Sequence, residues 1–156
     1  MLLTLWAGAS AEGFNYIVRN GERDQKHLCV TVDDCADSQM IQAIFDLSRE
    51  METPITFFTN GYTLKDEDRE LRLSIAQSDC EIGNHCYAHK SLNRMNPNDI
   101  IYQLNKCQRR LDEVLGYHYP MQMMRPPFGN VKYQGSTWKV RNAVKRRVTA
   151  ILFCGM

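Results

Sequence analysis

No stretch of these 156 residues stays apolar for the roughly 20 positions that a membrane-spanning helix requires, so no transmembrane helix is expected in the chain as given. Charge of one sign is equally scarce in excess: the formal net charge is +1, which gives no electrostatic reason for a nucleic-acid partner. Lys145, Arg146 and Arg147 form a small basic cluster that reads as a solvated helix terminus. There is no internal repeat, low-complexity tract or linker. A disulfide framework is also missing. The six cysteines, Cys29, Cys35, Cys80, Cys86, Cys107 and Cys154, are scattered through strand, helix and turn patterns, and most of them read as buried free thiols. That usage leaves the compartment open, a cytoplasmic one included, and opposes a strongly oxidising one.

What is present is the composition of a chain that packs. Hydrophobic residues make up 44% and charged residues 24%, close to globular averages, and the length suits one domain with its own core. Residues 1–14 stand apart. Met1 to Ala11 are apolar and end in Ala9-Ser10-Ala11, a small-residue cleavage pattern without a basic segment before it, so they read as the remnant of a secretory signal, with an ordinary docked N-terminal segment as the alternative. The export reading implies a secreted or cell-envelope location.

From residue 28 onward, short β-rich runs alternate with amphipathic helical patterns in the order β-α-β-α-β-α-β-α-β, the signature of a parallel sheet or barrel of βα units. The first strand is expected over 28–32 and the second over 55–59, ended by Asn60-Gly61. A third ends in His85, a fourth covers 121–124, and a last spans 148–153. Asp37 or Ser38 caps a helix with Met40, Ile41, Ile44, Phe45 and Met51 at helical spacing. Residues 66–77 read as a charged surface helix with Leu71 and Ile75 inward. The clearest helix has Asn96 as N-cap, Pro97 at its first position, Ile100, Leu104, Leu111 and Leu115 inward, and Gly116 just past its end. Ser136 caps a final helix carrying Trp138 and Val144.

The polar residues fall at the carboxyl ends of the expected strands, where folds of this type gather ligands and catalysis. Asp33-Asp34 follow the first strand, His85 and His89 the third, and Arg125 to Gly129 the fourth. A catalytic zinc-like site needs about three N or O ligands and an open position for water, which two histidines and a carboxylate provide. The spacing of four between His85 and His89 predicts one side of a helical turn, with Asp34 closing the triangle and Asp33 free to take a proton. Each piece alone has a plainer reading: paired aspartates cap turns, histidines four apart arise by chance, and Arg-Pro-Pro stiffens surface loops. Their order along the chain carries the inference.

The motifs also resemble a known family. Thr31-Val32-Asp33-Asp34-Cys35, Gly83-Asn84-His85-Cys86-Tyr87-Ala88-His89 and Arg125-Pro126-Pro127-Phe128-Gly129 are similar, in order, to the Thr-Phe-Asp-Asp-Gly, Gly-Asn-His-(Ser/Thr)-x-x-His and Arg-Pro-Pro-Tyr-Gly motifs of the NodB-type polysaccharide deacetylases, carbohydrate esterase family 4. Ile55 to Phe58 with Asn60-Gly61 resemble the family's second strand and turn. The likeness covers roughly residues 27–130, and the remainder loosely. It implies an α/β fold, a distorted and incomplete (β/α) barrel of the NodB homology type, with 15–156 as the deacetylase domain. It further implies hydrolysis of N-acetyl groups on a polymer containing N-acetylglucosamine, peptidoglycan before chitin. Asp34, His85 and His89 would hold one divalent ion, zinc first, with Co2+, Ni2+ or Mn2+ as alternatives. Asp33 would be the base, Arg125 would orient it, and the Phe128 backbone N–H would complete the oxyanion hole.

Three features depart from the family pattern. Cys35 stands where the family has glycine, and Cys86 where it has a hydroxyl residue. The later Asp/Trp motif and the Leu-x-His motif that supplies the general acid are not found, His27 and His118 reading as surface residues. The barrel is therefore expected to lack its C-terminal strands and to leave a sheet edge exposed unless a partner or tail covers it. Two other functions stay open on this pattern: a catalytically impaired, sugar-binding deacetylase-like domain, and a related hydrolase of a small amide.

Overall fold

The computed structural model describes residues 17, 18, 24, 26, 28–129, 143, 144 and 150–152. The signal-like segment 1–14, His27, the cap Ser136, Trp138, the basic cluster 145–147 and Cys154 lie outside them. Six strands form one sheet, all pairs parallel: β1 (Ile17–Val18), β2 (Val30–Val32), β3 (Ile55–Thr59), β4 (Glu81–Asn84), β5 (Met123–Met124) and β6 (Ala150–Leu152). Their spatial order is β1-β6-β5-β4-β3-β2. From β2 to β6 each strand lies beside its predecessor, so the winding never reverses, as in a (β/α) barrel and unlike a doubly wound sheet.

Among the described residues, the helices α1 (Ser38–Glu50), α2 (Arg69–Ala76) and α3 (Pro97–Leu115) connect the strands. Asp37 caps α1, its carboxylate accepting from the amides of Gln39 and Met40 at 3.0 and 3.2 Å. Asn96 caps α3 through the amide of Asp99 at 2.9 Å, Pro97 opens it, and Gly116 closes it in the left-handed conformation at φ 80°. Ile41, Phe45, Ile75, Leu111 and Leu115 bury their side chains in one cluster with Phe57 and Ile82 of the sheet. Phe57 pairs with Ile82 in the β3–β4 register, so this is one face of the sheet, and Phe58 and Gly83 belong to the other. Every residue of β3 is buried, as a central parallel strand covered on both faces must be.

Several expectations are corrected. Met40 and Met51 are 58% and 63% exposed, because the apolar stripe of α1 is narrower than helical spacing alone suggested, and Ile41 and Phe45 fill it. The helix expected over 66–77 begins as a 3-10 turn at Asp66–Asp68, and its α-helical part buries Arg72, a charge on the apolar side. The strand expected over 28–32 starts at Val30, with Leu28 87% exposed. The third strand ends at Asn84, one residue before His85, the fourth covers Met123–Met124, and the last is Ala150–Leu152. The sixth strand, β1, was not anticipated. Two residues are too few for a periodic signal, yet Ile17 and Val18 pair with Ile151 and Leu152 and cover the edge of β6 that was expected to stand open.

Candidate metal centre and its base

The site is built where β2, β4 and β5 end. Five of the six non-glycine residues with positive φ among the described residues are here: Asp34 (66°), Cys35 (49°), Cys86 (64°), His89 (38°) and Phe128 (59°). Such conformations cost energy for residues with a Cβ and persist only where the surroundings fix them. After β2 the amide of Cys35 donates to the carbonyl of Asp33 at 2.8 Å, closing a γ-turn centred on Asp34. Two groups hold that turn: the Thr63 hydroxyl, shared between the carbonyls of Asn60 (2.8 Å) and Asp34 (3.3 Å), and the guanidinium of Arg72, which donates to the Cys35 carbonyl at 3.1 Å.

His85 is buried and braced on every side. Its amide donates to Thr59 O at 3.0 Å, and its carbonyl accepts from the Asn60 side chain at 2.8 Å. Its Nδ1 lies 2.6 Å from the Arg125 carbonyl, and since a carbonyl only accepts, Nδ1 carries the proton and Nε2 is left with a free lone pair. Burial, chiefly, pushes the His85 imidazole below its ordinary pKa and so favours the neutral, metal-binding form. Gly83 is dictated by the same crowding: a Cβ there would stand 2.5 Å from the Phe58 ring.

The segment from His85 to His89 is not the helical turn that the spacing suggested. Asn84 Oδ1 accepts from the Cys86 amide at 2.9 Å, and the carbonyls of Cys86 and Tyr87 accept from Gly61 (3.1 Å) and Tyr62 (3.0 Å). Those carbonyls are therefore engaged by the chain after β3 and cannot build a helix. The loop that results still brings the two rings together, with centroids 5.1 Å apart. His85 Nε2 and His89 Nε2 lie 3.6 and 3.3 Å from Asp34 Oδ1, and one ligand atom from each residue falls within 4.8 Å of the others. Two imidazole nitrogens and a carboxylate oxygen around a common point are the donor set of a catalytic zinc-like centre with an open position. Phe128 packs its ring on His89, centroids 4.6 Å apart.

Asp33 lies beside this triad. Arg125 Nη1 donates to Asp33 Oδ1 at 2.5 Å and to Thr31 Oγ1 at 2.8 Å, and its guanidinium sits 4.4 Å from the Phe58 ring centre. Arg125 is itself buried, so the pair is shielded from solvent on the arginine side. All six residues singled out in the sequence thus come together. Thr31, Asn60, Thr63, Arg72 and Asn84 were missed as supports. The available signal was polarity in apolar settings: Thr31 between two valines of a strand, Asn84 at a buried strand end, Arg72 three residues from Ile75 on a helix's inward stripe. His118 is exposed, with Nδ1 2.8 Å from Asp112 Oδ2, a surface pair remote from this chemistry.

A singly wound parallel sheet with an N,N,O donor triad at its carboxyl end defines the class: a barrel-type α/β protein with the means to hold a divalent ion beside a carboxylate. The chain matches the family model described as polysaccharide deacetylase over residues 20–148 and belongs to that family. It is 26% identical over 119 residues to a peptidoglycan-N-acetylglucosamine deacetylase of Bacillus cereus, covering 76% of this chain and 42% of that protein. It is 26% identical over 108 residues to a peptidoglycan-N-acetylmuramic acid deacetylase of Bacillus subtilis, covering 69% and 22%. A CE4 family pseudoenzyme from Bacillus anthracis shares the fold at a TM-score of 0.74 and 18% identity, over 88% of this chain and 46% of that one. The chain spans less than half the length of each of these three.

Proposed function

We propose that this chain carries the centre for hydrolysing N-acetyl groups from a polysaccharide that contains N-acetylglucosamine, with peptidoglycan the first candidate. The observation that carries the reading is the convergence of Asp34, His85 and His89 within 4.8 Å beside the Asp33–Arg125 pair, in a polysaccharide deacetylase family member. The names of the two Bacillus relatives support the substrate class. A polymer of the cell wall implies a secreted or envelope location; no helix among the described residues is long and apolar enough to cross a membrane.

The donor set suits one divalent ion, zinc foremost and Co2+, Ni2+ or Mn2+ by the same chemistry, held by Asp34, His85 and His89. Bound there, such an ion polarises an acyl oxygen and makes water acidic enough to attack at neutral pH. The chain's own residues supply the rest. Asp33 keeps one oxygen in the hydrogen bond to Arg125 and offers the other to the proton of the attacking water. Arg125, fixed by Thr31 and Phe58, holds that carboxylate in one orientation. The Phe128 amide is the donor for the developing oxyanion, a role that needs the backbone alone and tolerates Phe in place of Tyr.

The test is acetate release from an acetylated chito-oligosaccharide by the metal-supplemented chain. Asp33→Ala should lower the rate about 10²- to 10⁴-fold, the span typical of losing a general base. Release that is equal in the wild type and in Asp33→Ala would overturn the reading.

A further inference from the structure

Arg72 is the least expected residue in the molecule. It lies on α2 with 1% of its surface exposed, and among the described residues it forms no ion pair with a carboxylate. Burying a guanidinium without an anionic partner is costly, so its retention requires a use. Its hydrogen bond runs to the Cys35 carbonyl at 3.1 Å, and its Nε finds no acceptor among the described residues.

What Arg72 does touch is the strained end of β2. Cys35 at φ 49° follows Asp34 at φ 66°, in a turn that a side-chain-bearing residue adopts only at an energetic cost. Cys35 is a buried residue, and Arg72 is the side chain that donates to its carbonyl. Asp33 and Asp34 sit on the same turn, Asp33 accepting the γ-turn bond and Asp34 at its centre, and their carboxylates point to different tasks.

We propose that Arg72 is a positioning residue for the Asp33–Asp34 pair: from the rear of the site it clamps the left-handed turn that sets the Asp34 carboxylate against His85 and His89 while Asp33 meets Arg125. This rests on the ligand assignment above. Among the described residues Arg72 makes no hydrogen bond or ion pair to the proposed ligands' side chains, and it acts through the backbone.

The test compares the wild type with Arg72→Met, Arg72→Lys and His85→Ala, by titration with Co2+ and Zn2+ and by the visible spectrum of the Co2+ form. Arg72→Met should remain folded by circular dichroism, since replacing a buried charge with an apolar side chain of similar volume is often neutral for stability. Its metal affinity should nonetheless fall about 10- to 100-fold, as on loss of an outer support of a metal site, with an altered Co2+ spectrum. Arg72→Lys, which keeps one donor, should recover part of the affinity. A folded Arg72→Met with wild-type affinity and spectrum overturns the proposal. Should Arg72→Met fail to fold, Arg72→Lys decides on the same two readouts: wild-type values overturn the clamp and a shifted spectrum upholds it. Unchanged affinity in His85→Ala instead overturns the ligand set, with Arg72 left aside.

Discussion

The residues that build this site are held in conformations their chemistry disfavours, and their neighbours explain how. Asp34, Cys86, His89 and Phe128 adopt left-handed backbone without being glycine; the Asp34 carbonyl is held by the Thr63 hydroxyl, and the segments carrying the other three are bonded to another strand end. Titration at a nearby position gives a measurable case of environment acting on a single group. Glu81, which opens β4, has its carboxyl pushed above the usual glutamate range by burial. Between the unfolded and folded values the native state holds a proton that the unfolded chain has released, so stability falls as pH rises through that window. Glu81→Gln removes this slope. The variant should gain in urea midpoint over the wild type at pH 8 and show little gain at pH 4; an equal difference at both pH values would count against the burial argument.

The elements show how much of the fold was legible beforehand. The second strand, 55–59, and the helix 97–115 were read to the residue, because five consecutive β-formers and a helix with Asn96, Pro97 and Gly116 at its ends carry their own punctuation. Asn96→Ala should cost about 1 kcal/mol, the usual value of an N-cap, read as a lowered urea midpoint with unchanged slope. An unchanged midpoint would mean that tertiary packing alone fixes the end of α3. The convergence of Asp34, His85 and His89 was legible from their order at strand ends. The shape of the loop that carries them was not: the spacing of His85 and His89 fits a helix, and the bonds from Gly61 and Tyr62 that prevent one come from a segment 25 residues away in the chain. Nor was Arg72 legible as a support, since a charged residue on an amphipathic helix is ordinarily solvated, and its acceptor is a backbone carbonyl 37 positions earlier.

At the scale of the whole molecule, the sheet converts distant sequence into one constellation. Asp34 and His85 meet because β3 lies between β2 and β4, pairing Val32 with Phe57 on one side and Thr59 with Asn84 on the other. Any ion held by the triad binds the folded chain and not the unfolded one, so binding is coupled to folding. Zinc at a hundredfold excess over its Kd should add about 2.7 kcal/mol, or roughly 5–11 °C in Tm for a domain of this size. The measurement is a pair of thermal melts with Zn2+ and with chelator, repeated on His89→Ala; a shift that survives in the variant would locate the ion elsewhere. The register of β3 has a kinetic consequence too. A slip of one residue along a strand moves its end by about 3.3 Å and turns its side chains to the opposite face, which would scatter the three donors. A metal present during refolding would thus act as a proofreader, rewarding only chains whose central strand has found its correct alignment, although that strand contributes no ligand of its own.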